Sequence, residues 1–173
     1  GTEQKATEIL LEAFARTAQE HDWILRLVGP IQERFQNYID TFLHTHIELI
    51  DRIQFTGAIT DREKLADEYA RAKVFVLPSR WEGAPLVLPE ALAQGCFFVV
   101  SNAVPTAEDI TCCEKYGKIF EQNSVIDLSE ALLQCTKGEW NPLELREYAQ
   151  EHFSWNTICS KLNHLILEAG SVI

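Results

Sequence analysis

Apolar positions recur along the chain at two periods, and the alternation between them outlines the fold. Ile9, Leu10, Ala13, Phe14 and Ala18 fall at helical spacing within residues 5 to about 21, with Glu8, Glu12 and Arg16 interspersed. Residues 23–28 form a short apolar run ended by Gly29-Pro30, as expected of a buried strand. Residues 31–50 return to a helical pattern, with Phe35, Tyr38, Ile39, Phe42, Ile47 and Leu49 as inner positions, and residues 52–57 read as a second strand. Thr60 with Glu63 forms a capping box, which predicts a helix to about residue 72 on Leu65, Ala66, Tyr69 and Ala70. A third strand is predicted at 74–77, stopped by Pro78. A helix at about 90–94 follows, with Pro89 at its first position and Gly95 after its end. Strands are predicted at 96–100 and 117–120. Helices follow at 124–136, with Ser124 as N-cap and Gly138 past the end, and at 143–151 and 155–168.

Strands of four to six apolar residues alternating with helices indicate parallel βα units buried on both faces. The fold class is therefore α/β: a single Rossmann-like domain over residues 1–173, one parallel sheet with helices on both faces. A doubly wound sheet normally starts with a strand, whereas this pattern starts with a helix. The expectation is that a first strand is missing from the chain, which looks cut from something longer. Hydrophobic residues at 46% and charged residues at 24% fit a folded globular chain. Lys and Arg total 15 against 26 Asp and Glu, and the resulting charge of −11 repels nucleic acid and anionic membrane surfaces. A local basic pocket for one small anion remains compatible with that charge. No apolar run approaches the ~20 residues of a membrane span. The five cysteines, Cys96, Cys112, Cys113, Cys135 and Cys159, are odd in number and lack a Cys-x-x-Cys pair, which suits a reduced, cytoplasmic compartment. The adjacent Cys112 and Cys113 read as ordinary buried or half-buried thiols.

In open α/β sheets ligands sit beyond the carboxyl ends of the strands, here after Val28, Phe55, Leu77 and Val100. No two glycines are separated by one residue, so a dinucleotide-binding Gly-x-Gly-x-x-Gly loop is excluded, and a P-loop and a Gly-x-Ser-x-Gly elbow are also missing. No Asp-x-Asp pair offers carboxylates to a divalent cation. His44 and His46, about 200° apart on a helix, cannot chelate one metal, so none is expected.

The segment 74–100 is the informative one. A strand runs into Pro78-Ser79, a loop carries Glu82-Gly83, and Glu90 stands eight residues after Glu82 at the start of a helix. Gly83 lets backbone amides approach a ligand, and a helix N-terminus adds oriented N–H groups. Two carboxylates flanking such amides suit a ligand with hydroxyls at both ends and a diphosphate between them.

Pro78-Ser79, Glu82-Gly83, Pro85-Leu86-Val87-Leu88, Glu90-Ala91 and Gly95 together resemble the C-terminal, nucleotide-sugar-binding half of GT-B-fold retaining glycosyltransferases of family 4, group 1. Lys5 with residues 8–14, Gly29, Phe55-Thr56-Gly57 and Phe153-Ser154-Trp155 extend the resemblance over nearly the whole chain. The resemblance implies a sugar transferred from a nucleoside-diphosphate sugar to an acceptor hydroxyl, with no cofactor and no metal. Glu90 would bind the ribose hydroxyls, and Glu82, the catalytic position, would hydrogen-bond the donor sugar. Amides around Gly83, Ala84, Leu86 and Val87 would hold sugar and phosphate. Lys5 would neutralise the diphosphate, and the backbone at Ile59 would face the base, with Lys64 nearby. The chain departs from the family at Ala6, where a glycine is usual, and at Ala103-Val104-Pro105, where a Gly-Gly pair is usual; Glu108 or Asp109 stands for the next acidic position. An arginine of the family's first strand lies outside the chain. The implied partner is an N-terminal acceptor-binding domain, without which the chain would be inactive. The alternatives are a non-catalytic scaffolding module that kept the half-fold, or a GT-B-fold epimerase or phosphorylase. The family's strand order, 3-2-1-4-5-6, would place the missing strand between those at 23–28 and 74–77.

Overall fold

The computed structural model describes residues 3–170. Its elements are α1 (Thr7–Thr17), β1 (Leu25–Val28), α2 (Glu33–Thr45), β2 (Ile53–Gly57), α3 (Arg62–Arg71), β3 (Val74–Leu77), α4 (Val87–Ala93), β4 (Phe97–Ser101), α5 (Ala107–Thr111), β5 (Gly117–Phe120), α6 (Val125–Lys137), α7 (Pro142–Phe153) and α8 (Trp155–Gly170). Short 3₁₀ turns at Ala18–Glu20 and Ile47–Arg52 extend α1 and follow α2.

All strand pairs are parallel, but they form two sheets rather than the single one expected. β1 pairs with β2, Leu27 opposite Phe55, and β4 lies between β3 and β5, with Val99 opposite both Val76 and Lys118. β1 and β3 are not hydrogen-bonded to each other. α1 contributes to the apolar clusters of both sheets through neighbouring positions on its buried face, and Leu25 and Leu27 of β1 pack against both clusters. Leu10 and Ala13 enter the main core with β3 and β4, while Leu11 and Phe14 join Phe42, Leu49 and Ile53 in a second cluster. The main core is centred on β4, where Phe97 is 8% exposed and Phe98, Val99, Val100 and Ser101 are all 0% exposed. Successive strand residues point to opposite faces, so burial of every one means that both faces of β4 are covered. Leu128 and Leu132 of α6, Leu88 and Leu92 of α4, and Leu145 and Ala149 of α7 belong to that cluster.

Local chemistry moves several boundaries. α2 ends at Thr45, and His46 leaves helical geometry at φ −115°, ψ 58°, so Ile47 falls out of phase and is 70% exposed instead of facing inward. The N-cap of α3 is Asp61 rather than Thr60: its carboxylate accepts from the N–H groups of Glu63 at 2.9 Å and Lys64 at 3.3 Å. α4 begins at Val87, which puts Pro89 third, not first; N–H groups of a first turn lack an intrahelical acceptor, so proline is tolerated there. Ser124 caps α6 by accepting from the Asp127 N–H at 3.1 Å. α5, five residues long, has no counterpart in the sequence pattern and ends at Cys112 with φ 50°. Cys113 and Glu114 continue in the left-handed region, and Cys113 is exposed rather than buried or half-buried. No helix among the described residues is long and apolar enough to cross a membrane.

Candidate nucleotide-sugar site

The loop between β3 and α4 is held by the N-terminal segment. The Arg80 N–H donates to the Gln4 carbonyl at 2.8 Å, and the Gln4 side-chain amide donates to the Trp81 carbonyl at 3.0 Å. The Arg80 guanidinium pairs with Glu8 at 2.5 Å and donates to the Asn123 side chain at 2.6 Å and to the Glu3 carbonyl. Gln122 donates to the Arg80 carbonyl at 2.8 Å. Residues 3–8, the loop and the β5–α6 connection at Gln122 and Asn123 are thereby tied into one corner at the carboxyl end of β3. Lys5 and Glu82 meet at this corner. Lys5 Nζ lies 2.5 Å from Glu82 Oε1 across 77 residues of sequence, with the Glu82 side chain only 9% exposed. Ala6, which follows, is fully buried and caps α1 in the left-handed region at φ 45°. Ser79 is completely buried, and its hydroxyl has no hydrogen-bond partner among the described residues.

Gly83 and Ala84 are exposed in the same loop, Leu86 is 68% exposed, and Val87 opens α4 half-buried. The first turn of α4 closes with the Leu88 N–H on the Pro85 carbonyl at 3.1 Å and the Glu90 N–H on the Leu86 carbonyl at 3.2 Å. Glu90 is exposed on α4, and its carboxylate accepts from the Tyr69 hydroxyl of α3 at 3.3 Å. Burial, and then the Glu90 charge, push the Tyr69 hydroxyl well above the usual phenol range, so it stays a donor at neutral pH. α4 is locked from behind. Gly95 follows it at φ +82°, against Pro142 of α7, and Arg146 of α7 donates to the Gln94 carbonyl at 3.1 Å. Cys96 lies under this junction, buried, its thiol pushed up to about 11 by desolvation.

The structure therefore joins Lys5 to Glu82 and sets Glu90 on the helix that leaves the same loop. Ile59 sits half-buried in the separate loop after β2, and Lys64 is exposed on α3. Arg80, Gln4 and Tyr69 were not foreseen as parts of this region. Arg80 stands inside the Pro-Ser to Glu-Gly motif and could have been noticed there, whereas Gln4 and Tyr69 carry no local signal. A cleft of about 640 Å³ is lined by Glu3, Glu8, Arg34, Phe35, Tyr38 and Arg80 among others and includes neither Glu82 nor Glu90.

Comparison with known proteins identifies the fold and the family. An exopolysaccharide phosphotransferase of Streptomyces coelicolor is 30% identical over 158 residues, which cover 88% of this chain and 16% of that protein. A sucrose-phosphate synthase from Thermosynechococcus elongatus superposes with a TM-score of 0.76 at 26% identity, over 99% of this chain and 44% of that one. HepE from Anabaena, solved in complex with UDP, superposes with a TM-score of 0.77 at 20% identity, over 96% and 46%. The chain spans between 16% and 38% of the length of its matched curated relatives. The architecture is one Rossmann-like half of a GT-B fold. Residues 2–152 match the family described as Glycosyl transferases group 1, nearly the whole of the described fold, and the chain belongs to that family.

Proposed function

We propose that this chain is the donor-binding domain of a retaining glycosyltransferase of family 4, which moves a sugar from a nucleoside diphosphate to an acceptor hydroxyl. The observation that carries this reading is the convergence of Lys5 on Glu82 at the carboxyl end of β3, with Glu90 on the helix that follows. In this reading Glu90 accepts hydrogen bonds from the ribose hydroxyls and Glu82 from a hydroxyl of the donor sugar. The amides of Gly83, Ala84, Leu86 and Val87 line the path between them, and the backbone at Ile59 faces the base.

As the bond between the anomeric carbon and the diphosphate breaks, the electron pair and a growing negative charge pass to the departing oxygen. A cation placed there before the reaction lowers the barrier, because the charge develops against a fixed partner. An ammonium donates three bonds, so Lys5 can bridge Glu82 and a diphosphate oxygen. No Asp-x-Asp pair is present to carry a bridging cation, and donor binding is proposed to need no metal. The two solved neighbours named above are more than twice as long as the matched part, which supports assigning the acceptor and the far wall of the cleft to an N-terminal domain. Alone, the 173 residues are proposed to bind donor weakly and to transfer nothing.

UDP in the Anabaena neighbour makes nucleoside diphosphates the ligands to test first. The chain is titrated with UDP, GDP, ADP and CDP in EDTA, at low and at raised salt, alongside Lys5→Ala. Binding that persists in EDTA, weakens with salt and falls in Lys5→Ala supports the reading, since a lysine–phosphate contact is partly screened. A strict need for magnesium or manganese, or no binding of any of the four, overturns it.

A further inference from the structure

Glu90 sits on an exposed face of α4, where a glutamate side chain samples several rotamers. Among the described residues its carboxylate accepts a hydrogen bond from a residue 21 positions earlier on a different helix: the Tyr69 hydroxyl donates to Oε2. Tyr69 is itself fixed. Its ring meets the Phe75 ring edge-on at 5.7 Å, and Phe75 in turn meets Phe98, a fully buried residue of β4, at 6.3 Å. Its carbonyl accepts from the Ala72 N–H at 3.0 Å and from the Cys96 thiol at 3.1 Å. The hydroxyl is thus a donor anchored to the core and aimed at a carboxylate that is not.

We propose that Tyr69 is a positioning residue that holds one oxygen of Glu90 so that the other faces the ligand, and so sets the affinity for the ribose-bearing part of a nucleoside diphosphate. This rests on the reading of Glu90 as the ribose contact. A phenol at neutral pH donates to a carboxylate without adding charge, so it orients Glu90 and leaves its negative charge available to sugar hydroxyls. A ligand lacking ribose has no use for that orientation.

The test is a double-mutant cycle on the full chain, read by NMR titration. The probes are whichever of UDP, GDP, ADP and CDP binds wild type most tightly, and inorganic pyrophosphate as the ligand without ribose. Tyr69→Phe keeps the ring against Phe75 and removes only the donor. It should weaken the nucleoside diphosphate roughly threefold to tenfold, within the range for coupled residues in contact, and leave pyrophosphate unchanged. In a Glu90→Ala background the same substitution should change neither ligand. The inference is overturned if Glu90→Ala weakens the nucleoside diphosphate while Tyr69→Phe does not. It is also overturned if Tyr69→Phe weakens both probes alike, as a general loosening of α3 would. If Glu90→Ala itself has no effect, the assignment of Glu90 to ribose is what fails.

Discussion

Gly95→Ala is the substitution whose cost follows most directly from the structure. Gly95 terminates α4 at φ +82°, and an L residue held in the left-handed region costs about 1–2 kcal/mol. A Cβ built there meets Pro142 Cβ and the Pro142 carbonyl oxygen, each at 2.9 Å, and Arg146 Nε at 3.2 Å. The arginine can swing away, but the proline ring and its backbone at the start of α7 cannot. α4 and α7 must separate, and overpacking of this kind costs typically about 1–3 kcal/mol. The two effects together come to roughly 3 kcal/mol, a large share of the ~5–15 kcal/mol that holds a domain folded. Urea unfolding followed by circular dichroism should show a lower midpoint with an unchanged m-value. For a chain of this size the melting temperature should fall by roughly 6–12 °C. Gly138→Ala is the control: φ is −79° and the nearest atom, the Gln134 carbonyl oxygen, is 3.3 Å from the new Cβ, so the loss should stay below about 1 kcal/mol. A Gly95→Ala stability within about 0.5 kcal/mol of wild type, the ordinary range for an inconsequential surface change, would refute the claim that this contact locks α4.

Thiol reactivity and pH dependence give two further tests. Burial pushes the Cys96 thiol up to about 11 and Cys135 up to about 12, while Cys113 and Cys159 are exposed. Maleimide labelling of the native chain at pH 8 followed by peptide mapping should therefore modify Cys113 and Cys159 and spare Cys96 and Cys135; labelling of all of them at one rate contradicts the packing. His21 is held below its ordinary 6.5, first by burial and then by the Arg52 guanidinium, and its Nδ1 accepts from the Trp23 N–H at 3.2 Å. The unfolded chain then binds the proton more readily than the folded one, so this contribution is complete above pH 6.5 and is lost as pH falls through the lower folded value. Melting temperatures from pH 7.5 to 5 should decline less for His21→Asn, which does not titrate, than for wild type, and parallel declines would exclude the effect.

Legibility of the chain followed the range of the interactions. β5 and the Ser124 cap of α6 were readable because an apolar run or a hydroxyl settles them within a few residues. β4 was readable as a fully apolar run because both of its faces are covered. Thr60 and Asp61 compete for the same orphan N–H groups, and the choice between them depends on loop geometry that a residue pattern does not carry. α5 is too short for helical periodicity to show, and it is held by its neighbours in the β4–β5 connection. Within the site, the Glu82 and Glu90 motif lay in one continuous stretch and was visible. The contacts that organise it, Lys5 with Glu82, Arg80 with Glu8 and Tyr69 with Glu90, join positions 77, 72 and 21 residues apart, and only the folded chain brings them together.

The division of labour between the two carboxylates is the centre of the account, and calorimetric titration with two ligands tests it most directly. Wild type, Glu90→Ala and Glu82→Ala are each titrated with the best-binding nucleoside diphosphate and with a matching nucleotide sugar. Glu90→Ala should weaken both ligands by ~1.5–3 kcal/mol, roughly tenfold to a hundredfold, because both carry the ribose whose charged hydrogen bond is lost. Glu82→Ala should leave the nucleoside diphosphate at least as tightly bound, since Lys5 keeps its charge, and should weaken only the nucleotide sugar. Equal losses of both ligands in both variants would contradict the assignment of Glu90 to ribose and Glu82 to the transferred sugar.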